Sequence, residues 1–184
     1  MKKIIALALS LMMLLGCVSA LAETAEKETL TMMGAFTIKY NKLPDYYKMT
    51  VVENTEMDYR AIINPSEAGK PVLELLISFS DEWDGVNTLA DATEDDVAAV
   101  KHDFYDVTEQ DDGDIIFEDA KTGLGTPVLV AKAADGSFGA IYTIYLSHEI
   151  EVDIFPGTGA EAVTDEDVNT VLAFLTDIDF VPAE

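Results

Sequence analysis

The chain has 184 residues, 35 of them acidic and 11 basic, for a net charge of −24. That charge repels phosphate backbones and anionic lipid surfaces, so it excludes nucleic acid as a partner and favours cations and basic polypeptides. The single cysteine, Cys17, excludes a disulfide framework, a thiolate metal site and a catalytic thiol in the folded domain.

Met1-Lys2-Lys3, then an apolar run from Ile4 to Gly16 and small residues beyond it, follow the pattern of a secretory signal. About 13 apolar residues are too few for a transmembrane helix, and no later stretch approaches the roughly 18 that a span needs. Two processing sites compete. Leu14-Leu15-Gly16-Cys17 resembles a lipobox, whose cysteine would carry the lipid, whereas Ala20-Leu21-Ala22 is an A-x-A site that discards Cys17. Residues 18–22 remain small and apolar where a lipidated terminus usually has a polar tether, so release after Ala22 is favoured. The expected location is secreted and extracytoplasmic, with a lipid anchor through Cys17 at the cell surface as the alternative. Only in that alternative is a membrane a partner.

Removing residues 1–22 from the 184 leaves 162, with nine basic against 35 acidic residues and a charge of −26. This is enough chain for one domain with its own core. Residues 23–33 are polar and without period, and read as an N-terminal tail. A single α+β domain is expected over 34–184.

Phe36, Ile38 and Tyr40 alternate with Thr37 and Lys39, which predicts a half-buried strand. Pro44 breaks it. Strands are predicted over Met49–Glu53 and Tyr59–Ile63, and the cluster from Asn64 to Pro71 predicts a turn. Leu73, Leu75, Ile77 and Phe79 mark a central strand. Thr93 followed by Glu94-Asp95-Asp96 opens a helix with Val97, Val100, Phe104 and Val107 on one stripe. Thr164 followed by Asp165-Glu166-Asp167 opens a second, with Val168, Val171, Leu172 and Leu175 on its stripe. Each threonine is an N-cap, and each acidic first turn suits the helix dipole.

Strands are also predicted over residues 114–119, 127–132, 138–146 and 150–155. Pairing Ile144 with Ile150, Tyr142 with Val152 and Ala140 with Ile154 keeps the apolar residues of the last two together. It places Leu146-Ser147-His148 in the turn, with Tyr145 and Thr143 opposite Glu149 and Glu151. A slip of one residue would send the glutamates toward the core. The expected architecture is a mostly antiparallel twisted sheet flanked by two main helices.

The segments FTIKYNKLPDYY, LELLISFSDEW and IYTIYLSHEIEVDIF, with the closing helix and hydrophobic tail, resemble the PsbP-like α/β/α sandwich family over Gly34 to Pro182. The resemblance implies an α/β/α sandwich and an accessory or assembly role through protein binding, without catalytic residues.

Candidate chemistry is sparse. Asp135-Gly136-Ser137-Phe138-Gly139 lacks the leading glycine of a nucleophile elbow, and the only histidines, His102 and His148, stand far apart in sequence. No sequence feature selects a carboxylate pair for glycosidase work. The residues from Asp81 to Asp119 include 15 acids against the single Lys101. Within them, Thr108 to Asp119 partly mimics a calcium loop, with Asp112, Asp114 and Asp119 as candidate ligands. Thr108, Gln110 and Asp119 stand where that loop wants Asp, Asp or Asn, and a bidentate Glu. Tyr46, Tyr47 and Trp83, beside predicted strands, are candidate binding aromatics. The sequence thus points to an exported acidic, non-enzymatic module for an unknown protein or small ligand, with no resident cofactor. An extracytoplasmic calcium- or cation-binding protein is the alternative.

Overall fold

The computed structural model describes residues 27–31, 36–108, 111, 113–122, 125–175 and 179–182. Cys17 and both processing sites lie outside the described residues, as does Asp112.

The chain is α+β. A seven-stranded, wholly antiparallel sheet runs in the order β3-β4-β5-β9-β8-β7-β6. Its strands are β3 (Tyr47–Asn54), β4 (Asp58–Pro65), β5 (Val72–Phe79), β6 (Ile115–Lys121), β7 (Pro127–Ala133), β8 (Gly139–Tyr145) and β9 (His148–Phe155). A smaller sheet has the order β1-β2-β10, from β1 (Lys27–Thr31), β2 (Phe36–Asn41) and β10 (Asp179–Pro182). Residues 27–31, expected in a polar tail, therefore form a strand. Pairing with β2 satisfies the backbone of β1, and Leu30 is buried against the core, a gain that no period within five residues could reveal.

The two helices, α1 (Glu94–Thr108) and α2 (Asp165–Phe174), lie on opposite faces of the large sheet. On the α2 face, Val168, Val171 and Phe174 pack with Ile63, Leu73, Leu75, Ile141, Ile150, Val152 and Ile154, and the small sheet adds Leu30 and Tyr40. The Tyr40 ring meets Phe174 edge-on at 5.0 Å. On the α1 face, Val100 and Phe104 pack with Leu129, Ala131, Ala140, Tyr142 and Ile144, and Trp83 joins them. This second core covers β6–β8, and on that face β9, β5 and β4 carry Glu149, Glu151, Asp153, Glu74 and Arg60 with Leu76 and Ile62 between them.

Both helices start as expected. The Thr93 backbone N–H donates to Asp96 Oδ2 at 2.8 Å while the Asp96 N–H donates to Thr93 Oγ1 at 3.2 Å. Thr164 and Asp167 repeat the arrangement at 2.8 and 3.3 Å. Each box satisfies orphan donors of the first turn reciprocally, with Asp at the position that more often holds Glu.

The β8–β9 hairpin departs from the expected register by one residue. Tyr145 pairs with His148, Ile144 with Glu149, Thr143 with Ile150, Tyr142 with Glu151 and Ile141 with Val152. The turn holds two residues, Leu146 and Ser147, at φ 48° and 63°. Left-handed backbone at two successive non-glycine residues is costly, and the loop beneath imposes it. Leu146 and Ser147 donate their N–H groups to Asn87 and Val86 carbonyls, each at 3.1 Å, and Ser147 O accepts from Ser80 N at 3.2 Å. The physical reason for the shift lies in β8. Gly139 to Ile144 are all buried, because both sheet faces are covered there, so alternation in β8 does not choose between registers. Ile150, Val152 and Ile154 keep the α2 face, and the β9 acids go to the α1 face.

Candidate functional site

Two features on the large sheet carry unusual chemistry, a groove at its β6 edge and a row of acids on its α1 face. The groove lies between α2 and the β6–β7 pair. Its apolar wall is formed by Ile116, Ala120, Val130, Val168 and Leu172, with Glu118, Lys132, Asp165 and Asn169 completing the lining and a volume of about 250 Å³. Lys132 Nζ bonds Asp165 Oδ1 across it. Ile116 remains 48% exposed. The groove exists because α2 is only ten residues long and packs chiefly over β8 and β9, so β6 and β7 extend beyond its cover.

Among the described residues β6 is the last strand of the sheet and pairs with β7 alone. Its backbone orientation follows from the flanking bonds. Ala134 N donates to Asp114 O at 2.7 Å, and Thr122 N donates to Thr126 O at 2.9 Å. In an antiparallel ladder the bonded residues alternate, so 116, 118 and 120 turn their N–H and C=O groups to β7. Those of Ile115, Phe117, Asp119 and Lys121 point outward from the edge.

On the α1 face, the register of β9 aligns Glu149, Glu151 and Asp153, and Glu74 of β5 stands opposite Asp153. Glu149 Oε1 accepts from Trp83 Nε1 at 2.6 Å and from the Tyr142 hydroxyl at 3.1 Å. Arg60 on β4 bonds Glu74. Burial, the neighbouring Asp153 charge and the hydrogen bond to it push Glu151 up to about 9. Burial raises Asp153 to about 6, against the lowering effect of its hydrogen bond with Glu151. At neutral pH the pair therefore holds about one proton between its two carboxyl groups. Burial, followed by the Glu149 charge, drives the Tyr142 phenol upward, so it stays protonated and donates to Glu149.

The sequence-derived candidates do not converge. Asp114 and Asp119 are both exposed, at the start and on the body of the β6 segment. Five residues of extended chain separate them by roughly 16 Å, too far for one ion to bind both. Among the described residues, no group of three or more His, Cys, Asp or Glu side chains could hold a metal ion. Tyr46 and Tyr47 meet at 4.7 Å with their rings tilted by 46° at the β3 end, with Lys70 Nζ 5.6 Å from the Tyr46 centroid. Tyr47 packs on the α2-side core, whereas Trp83 is buried in the other core with its N–H committed to Glu149. His102 lies 3.5 Å from Asp106 on α1, and His148 Nδ1 lies 2.7 Å from its own turn's Leu146 carbonyl.

Neither the groove nor the acid row was identified from the sequence. The groove's one signal is the unbroken apolar run Ile115-Ile116-Phe117, which places an apolar side chain on each face of an edge strand. The alternation of Glu149, Glu151 and Asp153 lies within one strand, but the Glu74 and Tyr142 side chains they meet depend on the registers of β5 and β8 against β9.

Among the described residues no helix is long and apolar enough to cross a membrane. The chain matches no family model, no curated protein and no solved structure.

Proposed function

We propose that the mature chain is an exported, non-enzymatic accessory module that docks another polypeptide in the groove beside β6. The observation that carries this reading is an apolar wall left open next to an edge strand, on a chain otherwise dominated by acidic charge. An accessible apolar surface on a highly charged protein is a recognition feature more than a packing one. Its 250 Å³ lies below the roughly 300–1,000 Å³ of enclosed small-molecule sites, and fits one or two side chains of a partner. The signal-like segment at residues 1–22 and the resemblance to a family of accessory proteins agree with this role.

Site-specific photocrosslinking tests it. A benzophenone side chain at position 116 in the exporting host should give a discrete adduct whose partner segment, once synthesised, binds the purified protein. The same side chain at Thr50, exposed on the opposite edge strand, should not. Equal labelling from both positions, or none from 116, would remove the groove as a docking site.

A further inference from the structure

We infer that the β6 edge captures a basic, extended polypeptide segment as an eighth strand of the large sheet. This rests on the docking reading above and specifies its chemistry. The outward N–H and C=O groups of Ile115, Phe117, Asp119 and Lys121 form a regular ladder, since the β6–β7 register runs from Ile115↔Ala133 to Lys121↔Pro127 without a shift. The other edge is different. β3 carries a bulge between Val51 and Glu53, a common device against unwanted pairing. One edge is thus interrupted and the other is open, straight and flanked by a groove.

Charge selects the occupant. Glu118 and Asp119 are exposed at the middle of β6, and no described cation pairs with either, while Lys132 is already engaged by Asp165. A strand beside β6 meets Ile116, Glu118 and Ala120 on the groove side and Phe117, Asp119 and, at the strand's end, Lys121 on the α1 side, because opposed residues share a face. Read antiparallel, as every pair in this sheet runs, the complementary segment is small or apolar, basic, basic, apolar, apolar. Main-chain bonds supply affinity and the alternate side chains supply selectivity, as in other strand additions. A second copy of this chain fits poorly, since antiparallel self-pairing about the centre of β6 sets acid against acid.

The probe is a labelled, end-capped peptide, Ser-Val-Lys-Lys-Val-Val-Ser, compared by fluorescence anisotropy with its Glu-Glu analogue and with a version N-methylated at alternate residues. Asp119→Pro removes one outward N–H without touching the β7 ladder, as proline permits on an edge. It should weaken the Lys-Lys peptide by at least about tenfold, the loss expected for roughly one backbone hydrogen bond with its neighbours displaced. The N-methylated peptide should show no saturable binding. The double variant Glu118→Lys/Asp119→Lys leaves the backbone intact and should exchange the preference to the Glu-Glu peptide.

Unchanged affinity for Asp119→Pro, or equal binding of the N-methylated peptide, would overturn strand addition while leaving the groove reading to the crosslinking result. No binding of the Lys-Lys peptide to the native protein, with the adduct at 116 still formed, would overturn the inference alone. Failure of both would overturn both. Self-association of the native protein that disappears in Asp119→Pro would assign the edge to a second copy, and overturn the basic partner.

Discussion

Replacing Glu151 with glutamine tests the acid row directly. In the folded chain Glu151 titrates near 9 against an ordinary value of 4.5. Between those values the folded state holds a proton that the unfolded state has released, so stability falls as pH rises across the window and levels off near 9. The usual depressed carboxylate behaves in the opposite way. At pH 8 the penalty has an upper bound of roughly 5 kcal/mol, from about 1.4 kcal/mol per pH unit. The side chain is only partly buried, and water screens the row from one side, which reduces the expected figure to about 1–2 kcal/mol. Glutamine keeps the shape and can still donate to Asp153, but it has no proton to retain. Glu151→Gln should therefore be more stable than the native protein by about 1–2 kcal/mol at pH 8, or roughly 3–6 °C in Tm. At pH 4.5 the two should agree within about 0.5 kcal/mol. Urea unfolding at both pH values, followed through the fluorescence of Trp83, the only tryptophan, measures the difference. A variant equally or less stable at pH 8, or a gain independent of pH, would refute the proton-sharing pair.

Other outcomes are as definite. Gly157→Ala should destabilise by more than about 2 kcal/mol, or shift the loop in a crystal structure, because its Cβ would stand 1.8 Å from the Lys70 carbonyl oxygen. Thr164→Ala should cost about 1 kcal/mol through loss of the α2 cap, measurable by thermal unfolding, and the matching Asp167→Ala should not add to it fully. Calorimetric titration with calcium should give flat heats, since Asp114 and Asp119 are too far apart to share an ion; a dissociation constant below about a millimolar would show otherwise. The intact mass of the protein from its native host should begin at Glu23 with no adduct. A mass beginning at Cys17 with acyl chains would mean a tethered module instead.

The elements themselves were legible in the sequence, for local reasons. Thr93 and Thr164 announce α1 and α2 because capping is settled within four residues of chain. Leu73, Leu75 and Ile77 announce β5 because a strand with one face in a core must alternate. The α+β class followed from that order of strands and helices. The strand β1 was not legible, since its burial depends on a partner ten residues on.

Which residues meet was decided only by the tertiary structure. The sequence determined that Glu149 and Glu151 alternate with Ile150 and Val152, but not which residues of β8 they face. With β8 buried on both sides, the pattern of that strand is blind to a one-residue slip, and the loop from Ser80 to Thr88 settles it by gripping the Leu146–Ser147 turn. The groove is likewise a property of the whole. It arises from the length of α2 relative to the width of the sheet it covers, and no window of sequence contains both.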